Sequence, residues 1–486
     1  MNNIKKYLSI IFLLVLITSC EDFLERTHPG DLTYDKFYKT TEDFQASLTA
    51  CYRSLWSQCS AIIYFTDIMT DNAWCDFYVT GDGVNFNSCN IPTNSSGIKS
   101  FWGACYSSIT YSNMIISRIV NSEVPQSIRD VFTDEAKFIR AYSYFNLVRI
   151  YGGVPKYDHE LANLNEVYDI GRSSVDEIYD FIISDLIDAS DIDSKRSAEQ
   201  TAKAKGKVTS LAAKALLGKV YLQKGDYNNA VTTLGDIVNT SGLELEENLE
   251  NLYDPEIFND EVLFAVNYER VSGQSSPFTV RSLPRYSRGI LPNVTTSDNG
   301  SGEWMIEPYT VTKFSSEDKR KAMLDSADIV FGGLGTIKFY YTKKYLDVNT
   351  NADIQSASDF IILRYADVLL MYADALNQTD KTADAYEYID QVRDRAGLDP
   401  LPSGFSKAQM NDALADERHK EFIMEGDRWF DLSYRGFDYL KNTLNPFYPN
   451  SARFPLAKID DHEVLYPIPS DEVNLKPDLL PQNPGY

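Results

Sequence analysis

Several features that would define common protein classes are missing from this chain. Beyond residue 20 no apolar run is long enough to cross a bilayer, so no transmembrane helix is expected there. Neither a G-x-S-x-G elbow nor a G-x-x-x-x-G-K loop is present. Only four histidines occur, without the spacing of a zinc protease: His28, His159, His419 and His462. Hydrolases and nucleotide-binding proteins of these types are therefore excluded.

Positive charge is also scarce. The chain has 46 lysines and arginines against 70 acidic residues, a formal net charge of −24. Nucleic acid and anionic lipid head groups are poor partners for such a surface. The balance favours a neutral ligand.

The first twenty residues are typical of an export signal. Lys5 and Lys6 precede an apolar run, and Thr18-Ser19 lead directly to Cys20. This arrangement resembles a bacterial lipobox, which predicts a signal peptide over 1–19 and acylation of Cys20, for example with palmitate. The alternative is an ordinary secretory signal that happens to contain a cysteine. A lipid on Cys20 would anchor the protein to a membrane without spanning it.

Five further cysteines lie in one N-terminal stretch, and none forms a C-x-x-C pair: Cys51, Cys59, Cys75, Cys89 and Cys105. A zinc site is therefore not expected. The favoured interpretation is that they are buried small apolar side chains. One or two disulfides are the alternative, because an exported protein can form them.

Helical periodicity dominates the pattern. Thr133 and Ser174 are predicted N-caps, and Gly152-Gly153-Val154-Pro155 is predicted to end the helix between them. Leu211 to Ile237 has the small-residue spacing and the Gly225-Asp226 turn of a tetratricopeptide helix pair. Such pairs bury their apolar faces only by stacking, so more are expected. The predicted pairs are 42–56 with 100–120, 133–151 with 174–190, 208–240, and 360–396.

Other segments lack this period. Ser272 to Gly302 is rich in Ser, Pro, Gly and Asn and is predicted to be a long ordered loop, which is more often functional than idle. Asp260 to Tyr268 favours one short strand. Five prolines after residue 466 predict an extended C-terminal tail.

The densest cluster of charges runs from Asp416 to Asp431. On a continuous helix Arg418, Glu421, Glu425 and Arg428 would share one face, with acids and bases interleaved. A glycosidase needs two carboxylates facing each other across a cleft. We therefore interpret the cluster as structural ion pairs and predict no enzymatic activity, with a glycosidase as a rival hypothesis.

Ordered motifs along almost the whole chain resemble the SusD/RagB family of Bacteroidetes outer-membrane lipoproteins. They are Cys20-Glu21-Asp22-Phe23-Leu24, Glu135-Ala136, Arg140-Ala141, Tyr144-Phe145, Tyr151 to Pro155, Asp185-Leu186, Ala212 to Leu217, Arg364 to Leu370, Arg393 to Leu398, Glu417-Arg418, Glu421-Phe422, Glu425 to Trp429, Asp431-Leu432, Tyr466 to Pro469 and Gln482 to Tyr486. Two features depart from the family pattern. Asp374 stands where the family usually shows Glu, and cysteine is unusually frequent.

This resemblance implies a mainly α fold: about four tetratricopeptide-like helix pairs carrying an irregular, loop-rich binding half with a few short strands. It implies one domain over 20–486, with binding insertions at about 60–100 and 268–345. It also implies an outer-membrane protein facing the cell exterior. There it would pass oligosaccharide to a SusC-like TonB-dependent transporter, without a cofactor. Alternatives are peptide or glycoprotein ligands, or a scaffold that only holds envelope proteins together.

Saccharide receptors need flat aromatic rings beside amides and carboxylates. Most aromatics here have core spacing, but Trp74 and Trp304 lie in predicted loops where the family places an aromatic platform. They are predicted to form a stacking surface, although a loop tryptophan can equally be structural. Further candidates are Asp71, Asn72, Tyr286 and Tyr309, with Arg281 and Arg285 as additional polar groups. No D-x-D-x-D-G loop is present, so calcium is not predicted.

Overall fold

Eight long helices form the scaffold. The computed structural model describes residues 37–196, 206–257, 259–294, 299–331, 335–451 and 458–486, so the predicted signal peptide and Cys20 lie outside the described residues. The scaffold helices are α1 Thr41–Ile63, α2 Ser96–Ile119, α3 Gln126–Tyr151, α4 Val175–Ala189, α5 Ser210–Lys224, α6 Tyr227–Thr240, α7 Tyr365–Gln378 and α8 Thr382–Arg395. Helix α1 packs on α2, α3 on α4, α5 on α6 and α7 on α8, and successive pairs also pack on one another. The predicted mainly α, tetratricopeptide-like fold is confirmed.

Small residues bring the paired helices together, as the sequence predicted. A Cβ added at Gly218 on α5 would lie 2.4 Å from Leu234 on α6, so only glycine fits there. Gly225 ends α5 in the left-handed conformation, and Asp226 caps α6 by accepting a hydrogen bond from the backbone N–H of Asn229. Glycine therefore sets both the packing and the turn of this pair.

The predicted helix boundaries were partly right. Ser174 caps α4 in a capping box with Glu177, and Gly152 ends α3 with a positive φ of 75°. The prediction that Thr133 is an N-cap is wrong, because α3 begins at Gln126 and continues through that position. Val131 and Phe132 are buried, so packing favours helix ahead of the local cap signal.

Two small sheets join the irregular segments. The strands are β1 Ala73–Trp74, β2 Val262–Val266, β3 Met305–Ile306, β4 Leu324–Phe331, β5 Gly335–Thr342 and β6 Phe360–Arg364. One sheet has the order β1-β3-β5-β4, and the other pairs β2 with β6. The strand predicted within Asp260 to Tyr268 is confirmed as β2.

The remaining elements are short or lie near the C-terminus. Short α-helices are Asp82–Asn87, Leu164–Asp169, Ile192–Lys195, Leu249–Tyr253, Phe278–Ser282 and Pro308–Val311; the C-terminal α-helices are α9 Lys407–Glu421, α10 Arg428–Ser433, α11 Phe437–Leu444 and α12 Ser470–Leu475; a π-helix spans Tyr64–Ile68; and 3-10 helices span Lys319–Met323, Tyr448–Asn450 and Asp461–Val464. Within the described ranges, every helix is too short or too polar to cross a membrane.

The charge cluster after residue 416 is a buried ion-pair network, but it is not one helix. Helix α9 ends at Glu421, and the chain turns through Met424 and Gly426, both with positive φ, before α10 begins. The turn lets Glu421 and Glu425 both reach Arg364 on β6, at 2.6 and 2.9 Å. Burial alone would raise the pKa of Glu421, but Arg395, Arg364 and Arg320 hold it well below its usual range. These charges neutralise one another and tie α9 to the scaffold.

The five cysteines that follow Cys20 are all free and buried, which confirms the favoured interpretation: Cys51, Cys59, Cys75, Cys89 and Cys105. Burial raises the pKa of Cys51 to about 12. These thiols therefore behave as core side chains.

Candidate binding cleft

The two tryptophans predicted to stack on a ligand are buried. Trp304 has no exposed surface and stacks on Phe278, with ring centroids 5.4 Å apart. Trp74 is 4% exposed and stacks on Phe339 of β5 at 5.7 Å. The prediction that they form a stacking surface is wrong, because protein rings already cover their faces.

Asp71 and Asn72 are also buried, so the prediction that they contact ligand hydroxyls is wrong. Asp71 accepts two hydrogen bonds from Arg428, at 2.8 and 2.9 Å, while Asn72 donates to Asp67 at 2.7 Å. Burial would raise the pKa of Asp71, but Arg428 and His419 hold it below its usual range. This pair is a structural anchor between residue 71 and α10.

Tyr286 and Tyr309 are exposed, by 45% and 40%. Tyr286 lies 6.3 Å from Tyr78, with the two rings almost perpendicular. The ring of Tyr309 instead contacts Phe447 and lies under Lys313, apart from the Tyr78–Tyr286 pair. The structure therefore brings one predicted residue to an aromatic pair and separates the other.

An open cleft of about 980 Å³ lies beside this pair. Its walls are the C-terminal turns of α1, the π-helix that follows, residues 78–86, the exposed face of α2, and three residues of the 281–303 segment. A cavity of this size falls within the range of small-ligand sites. The predicted insertions at 60–100 and 268–345 thus meet across one cleft.

Aromatic rings form one side of the cleft. Tyr78 is 49% exposed, and Tyr64, the first residue of the π-helix, packs on Phe86 at 5.6 Å. π-helical turns often occur at functional sites. Tyr286 has a φ of 62°, which is uncommon for a bulky residue and occurs mostly where the surroundings hold it in place.

Charged groups form the floor. Arg281 Nε lies 3.3 Å from Glu303, which also accepts a hydrogen bond from the hydroxyl of Tyr64. Burial raises the pKa of Tyr64 above its usual range, so this hydroxyl stays protonated and donates. Arg285 lies 3.6 Å from Asp76 and donates to the carbonyl oxygen of Ser301 at 2.6 Å. Each arginine therefore has an acidic partner, and the floor is close to neutral.

Asp76 joins the two loops that carry these groups. Its backbone N–H donates to the carbonyl oxygen of Gly302 at 2.9 Å, and its carboxylate accepts from the N–H of Tyr78 at 2.9 Å. Trp304 packs beside the contact between these two loops, and Arg281 lies over its ring. The buried tryptophans thus position the cleft residues.

Among the residues that line the cleft, sequence reasoning did not single out Tyr64, Tyr78, Asp82 or Glu303. Phe77-Tyr78 begins three residues after Trp74 inside the predicted 60–100 insertion, so this aromatic pair was the available signal. No local pattern singles out Tyr64 or Glu303, which lie 239 residues apart. Among the described residues, no three His, Cys, Asp or Glu side chains are grouped as a metal site.

Comparison with known proteins gives consistent matches. A family model described as the SusD family matches residues 284–486. Another, described as "Starch-binding associating with outer membrane", matches residues 22–222. SusD-like protein P2 of Formosa agariphila is 26% identical over 99% of this chain and 100% of its own length. A SusD-like protein of Bacteroides ovatus is 26% identical, over 92% of this chain and 85% of its own.

Solved structures show the same fold. A SusD homolog from Bacteroides thetaiotaomicron has a TM-score of 0.79 at 22% identity, covering 93% of this chain and 98% of its own. A laminarin-binding SusD-like protein has a TM-score of 0.76 at 24% identity, covering 92% and 100%. A SusD-like carbohydrate-binding protein from Bacteroides fragilis has a TM-score of 0.76 at 20% identity, covering 91% and 99%.

Proposed function

The chain belongs to the SusD/RagB family, and from this premise we propose that it binds oligosaccharide in the cleft between α1, α2 and residues 281–303. The observation that carries the proposal is the half-exposed Tyr78 in the cleft wall, with the half-exposed Tyr286 packed against it, beside a floor of paired charges. A sugar ring places its C–H face on an aromatic ring and its hydroxyl edge on polar groups. This cleft supplies both.

The charge of the cleft supports a neutral ligand. Arg281 is paired with Glu303 and Arg285 with Asp76, so neither arginine offers an unbalanced charge to an anion. The net charge of −24 would further repel a polyanion at long range. Structural relatives named for laminarin or carbohydrate binding also support a glycan ligand.

The acidic groups of the cleft support binding without catalysis. Glu303 is engaged by Tyr64 and Arg281, and Asp82 accepts from the backbone N–H of Gly97 at the start of α2, at 2.7 Å. Burial would raise the pKa of Asp82, but its hydrogen bonds to serine hydroxyls and to that N–H hold it below the usual range. A glycosidase acid needs a raised pKa to keep its proton. Asp82 therefore acts as a helix cap. Burial raises the pKa of Asp76, but this carboxyl is buried and is held by the backbone N–H of Tyr78 and by Arg285.

The wider assignment rests on the family. We propose that acylated Cys20 anchors the protein to the outer membrane with the cleft facing outward, and that a SusC-like TonB-dependent transporter receives the ligand. The family model described as associating with the outer membrane supports this location.

The tyrosines give a direct test of the cleft. We expect Tyr78→Ala to weaken binding of a retained polysaccharide roughly tenfold, or about 1.4 kcal/mol, because it removes a ring from the cleft wall. Tyr286→Ala should weaken binding less, because it removes only the ring that packs on Tyr78. The screen is affinity gel electrophoresis against laminarin, starch, xylan and mannan, followed by isothermal titration. Tyr309→Ala is the matched control, since this tyrosine is similarly exposed but lies on Phe447.

Two results would contradict the proposal. One is retention of none of these polysaccharides while peptides bind, which would favour the peptide alternative. The other is a loss of affinity in Tyr309→Ala equal to that in Tyr78→Ala, which would place the ligand elsewhere.

A further inference from the structure

A second cavity lies on the other side of α2 from the main cleft. Its volume is about 510 Å³, and its lining comes from α2, residues 155–167 and α12 with the residue that follows it. Three aromatic rings form its apolar surface. Tyr106 lies 5.0 Å from Trp102 and 5.5 Å from Tyr157, measured between ring centroids. We call it the Tyr157 cavity.

The cations at its rim are already engaged. Lys476 donates to the carbonyl oxygens of Val167 and Ile170, at 2.9 and 2.7 Å. Arg118 donates through Nε to Glu160 at 2.7 Å. The Glu160 and Glu472 carboxylates at the rim offset the charges of Arg118 and Lys476, so the rim does not select an anion.

One acceptor at the rim is open. Within the part of the chain that the structure describes, the Glu472 carboxylate forms no hydrogen bond or ion pair, although it is half-buried and lines the cavity. Burial raises its pKa above the usual range. Aromatic rings beside an open hydrogen-bonding group again suit a neutral, hydroxylated ring.

A shallow groove joins this cavity to the main cleft. The α2 groove, of about 520 Å³, shares Ser107 with the main cleft and shares Gly103, Tyr106, Thr110 and Met114 with the Tyr157 cavity. Gly103 and Ser107 are exposed and have small side chains, so little side-chain volume separates the two sites along α2. From Ser96 in the main cleft to Met114 is about 27 Å along the helix axis, at roughly 1.5 Å per residue.

We infer that a single oligosaccharide chain occupies the main cleft, crosses α2 through the groove and places further sugar units in the Tyr157 cavity. The natural ligand is therefore a chain of several sugars, longer than a disaccharide. This inference rests on the proposed function. Both cavities place tyrosine rings beside hydrogen-bonding groups, and the α2 groove shares residues with the wall of each.

Gly103 allows this path to be blocked without disturbing the fold. A Cβ added there meets nothing within 4 Å, and its φ is not in the left-handed region. Gly103→Leu places a bulky side chain in the α2 groove. Gly103→Ala also replaces the glycine but adds only a methyl group, so the groove stays open. Leucine and alanine have similar helix propensities, so the pair isolates the steric effect.

The experiment is isothermal titration of the full-length protein and both variants with disaccharides and hexasaccharides of the laminari, cello, xylo, manno and malto series. In the series that binds, we expect the hexasaccharide to bind wild type at least tenfold more tightly than the disaccharide. Gly103→Leu should abolish this gain without changing disaccharide affinity, and Gly103→Ala should keep it. Glu472→Gln, which removes charge but keeps shape, should reduce hexasaccharide affinity alone.

The outcomes separate this inference from the proposed function. Equal affinity of wild type for a disaccharide and its hexasaccharide would overturn the inference while leaving the main cleft as a glycan site. Retention of the hexasaccharide gain in Gly103→Leu would do the same. Absence of binding by every sugar of both lengths would overturn both.

Discussion

Gly302 is the residue at which a single methyl group should have the largest effect on the cleft. A Cβ added there would lie 2.0 Å from Oδ2 of Asp76, and its φ of 68° lies in the left-handed region. Gly302→Ala would therefore strain the backbone and push apart the two loops that carry Tyr78 and Arg285.

The expected cost can be built from its parts. Left-handed backbone costs an alanine about 1–2 kcal/mol. Forcing a methyl into filled space adds roughly 1–3 kcal/mol, and weakening the 2.9 Å bond from Asp76 N–H to Gly302 adds about 1 kcal/mol. We expect the free energy of unfolding to fall by about 3–6 kcal/mol in urea denaturation, with loss of polysaccharide retention.

Gly289→Ala is the control, because it lies in the same segment with a φ of 77° but no atom lies within 4 Å of its added Cβ. It should lose only the backbone part, about 1–2 kcal/mol. Equal losses in the two variants would refute the steric argument. Wild-type stability and retention in Gly302→Ala would show that Asp76 does not hold the loops together.

Four further predictions concern the core and the N-terminus. Asp71→Asn leaves the buried Arg428 guanidinium without its carboxylate partner. The free energy of unfolding measured in urea should therefore fall by roughly 3–5 kcal/mol. A loss below 1 kcal/mol would contradict this. The pKa of Asp71 is lowered in the folded state, so its contribution to stability is present at neutral pH and is lost as pH falls below about 3.9. The free energy of unfolding should therefore fall less steeply with acid in Asp71→Asn than in wild type. Identical pH dependence in the two proteins would contradict the assignment. The five cysteines that follow Cys20 should not react with a thiol reagent in the native protein and should all react in denaturant without reductant, whereas a requirement for reductant would reveal a disulfide. Cys20→Ala should release the protein from the membrane fraction and abolish palmitate incorporation, and unchanged membrane retention would contradict lipid anchoring.

Local signals predicted the scaffold well. Ser174 with Glu177, and Gly225 with Asp226, act through hydrogen bonds and backbone angles within a few residues, so the printed sequence contains the whole cause. Thr133 shows the limit of such signals. It has the residue type of a cap, but buried Val131 and Phe132 directly before it extend the helix through that position.

The cleft depended on contacts that no local pattern contains. Trp74 was predicted to be exposed because polar residues surround it, yet Phe339 covers its ring from a strand far along the chain. Asp71 has the chemistry of a ligand contact, but Arg428, 357 residues away, engages it. Tyr64 and Glu303 likewise meet only in the folded chain.

By itself, the amino-acid sequence determined the helical pairs, the short strand at Val262–Val266 and the SusD/RagB family, because periodicity, capping residues and family motifs are properties of the chain. Tertiary structure alone decided which aromatics face the cleft and which support it. A side chain's exposure depends on the segment packed against it, and here those segments come from distant parts of the sequence. The tryptophans therefore became supports, and the neighbouring tyrosines became the exposed rings.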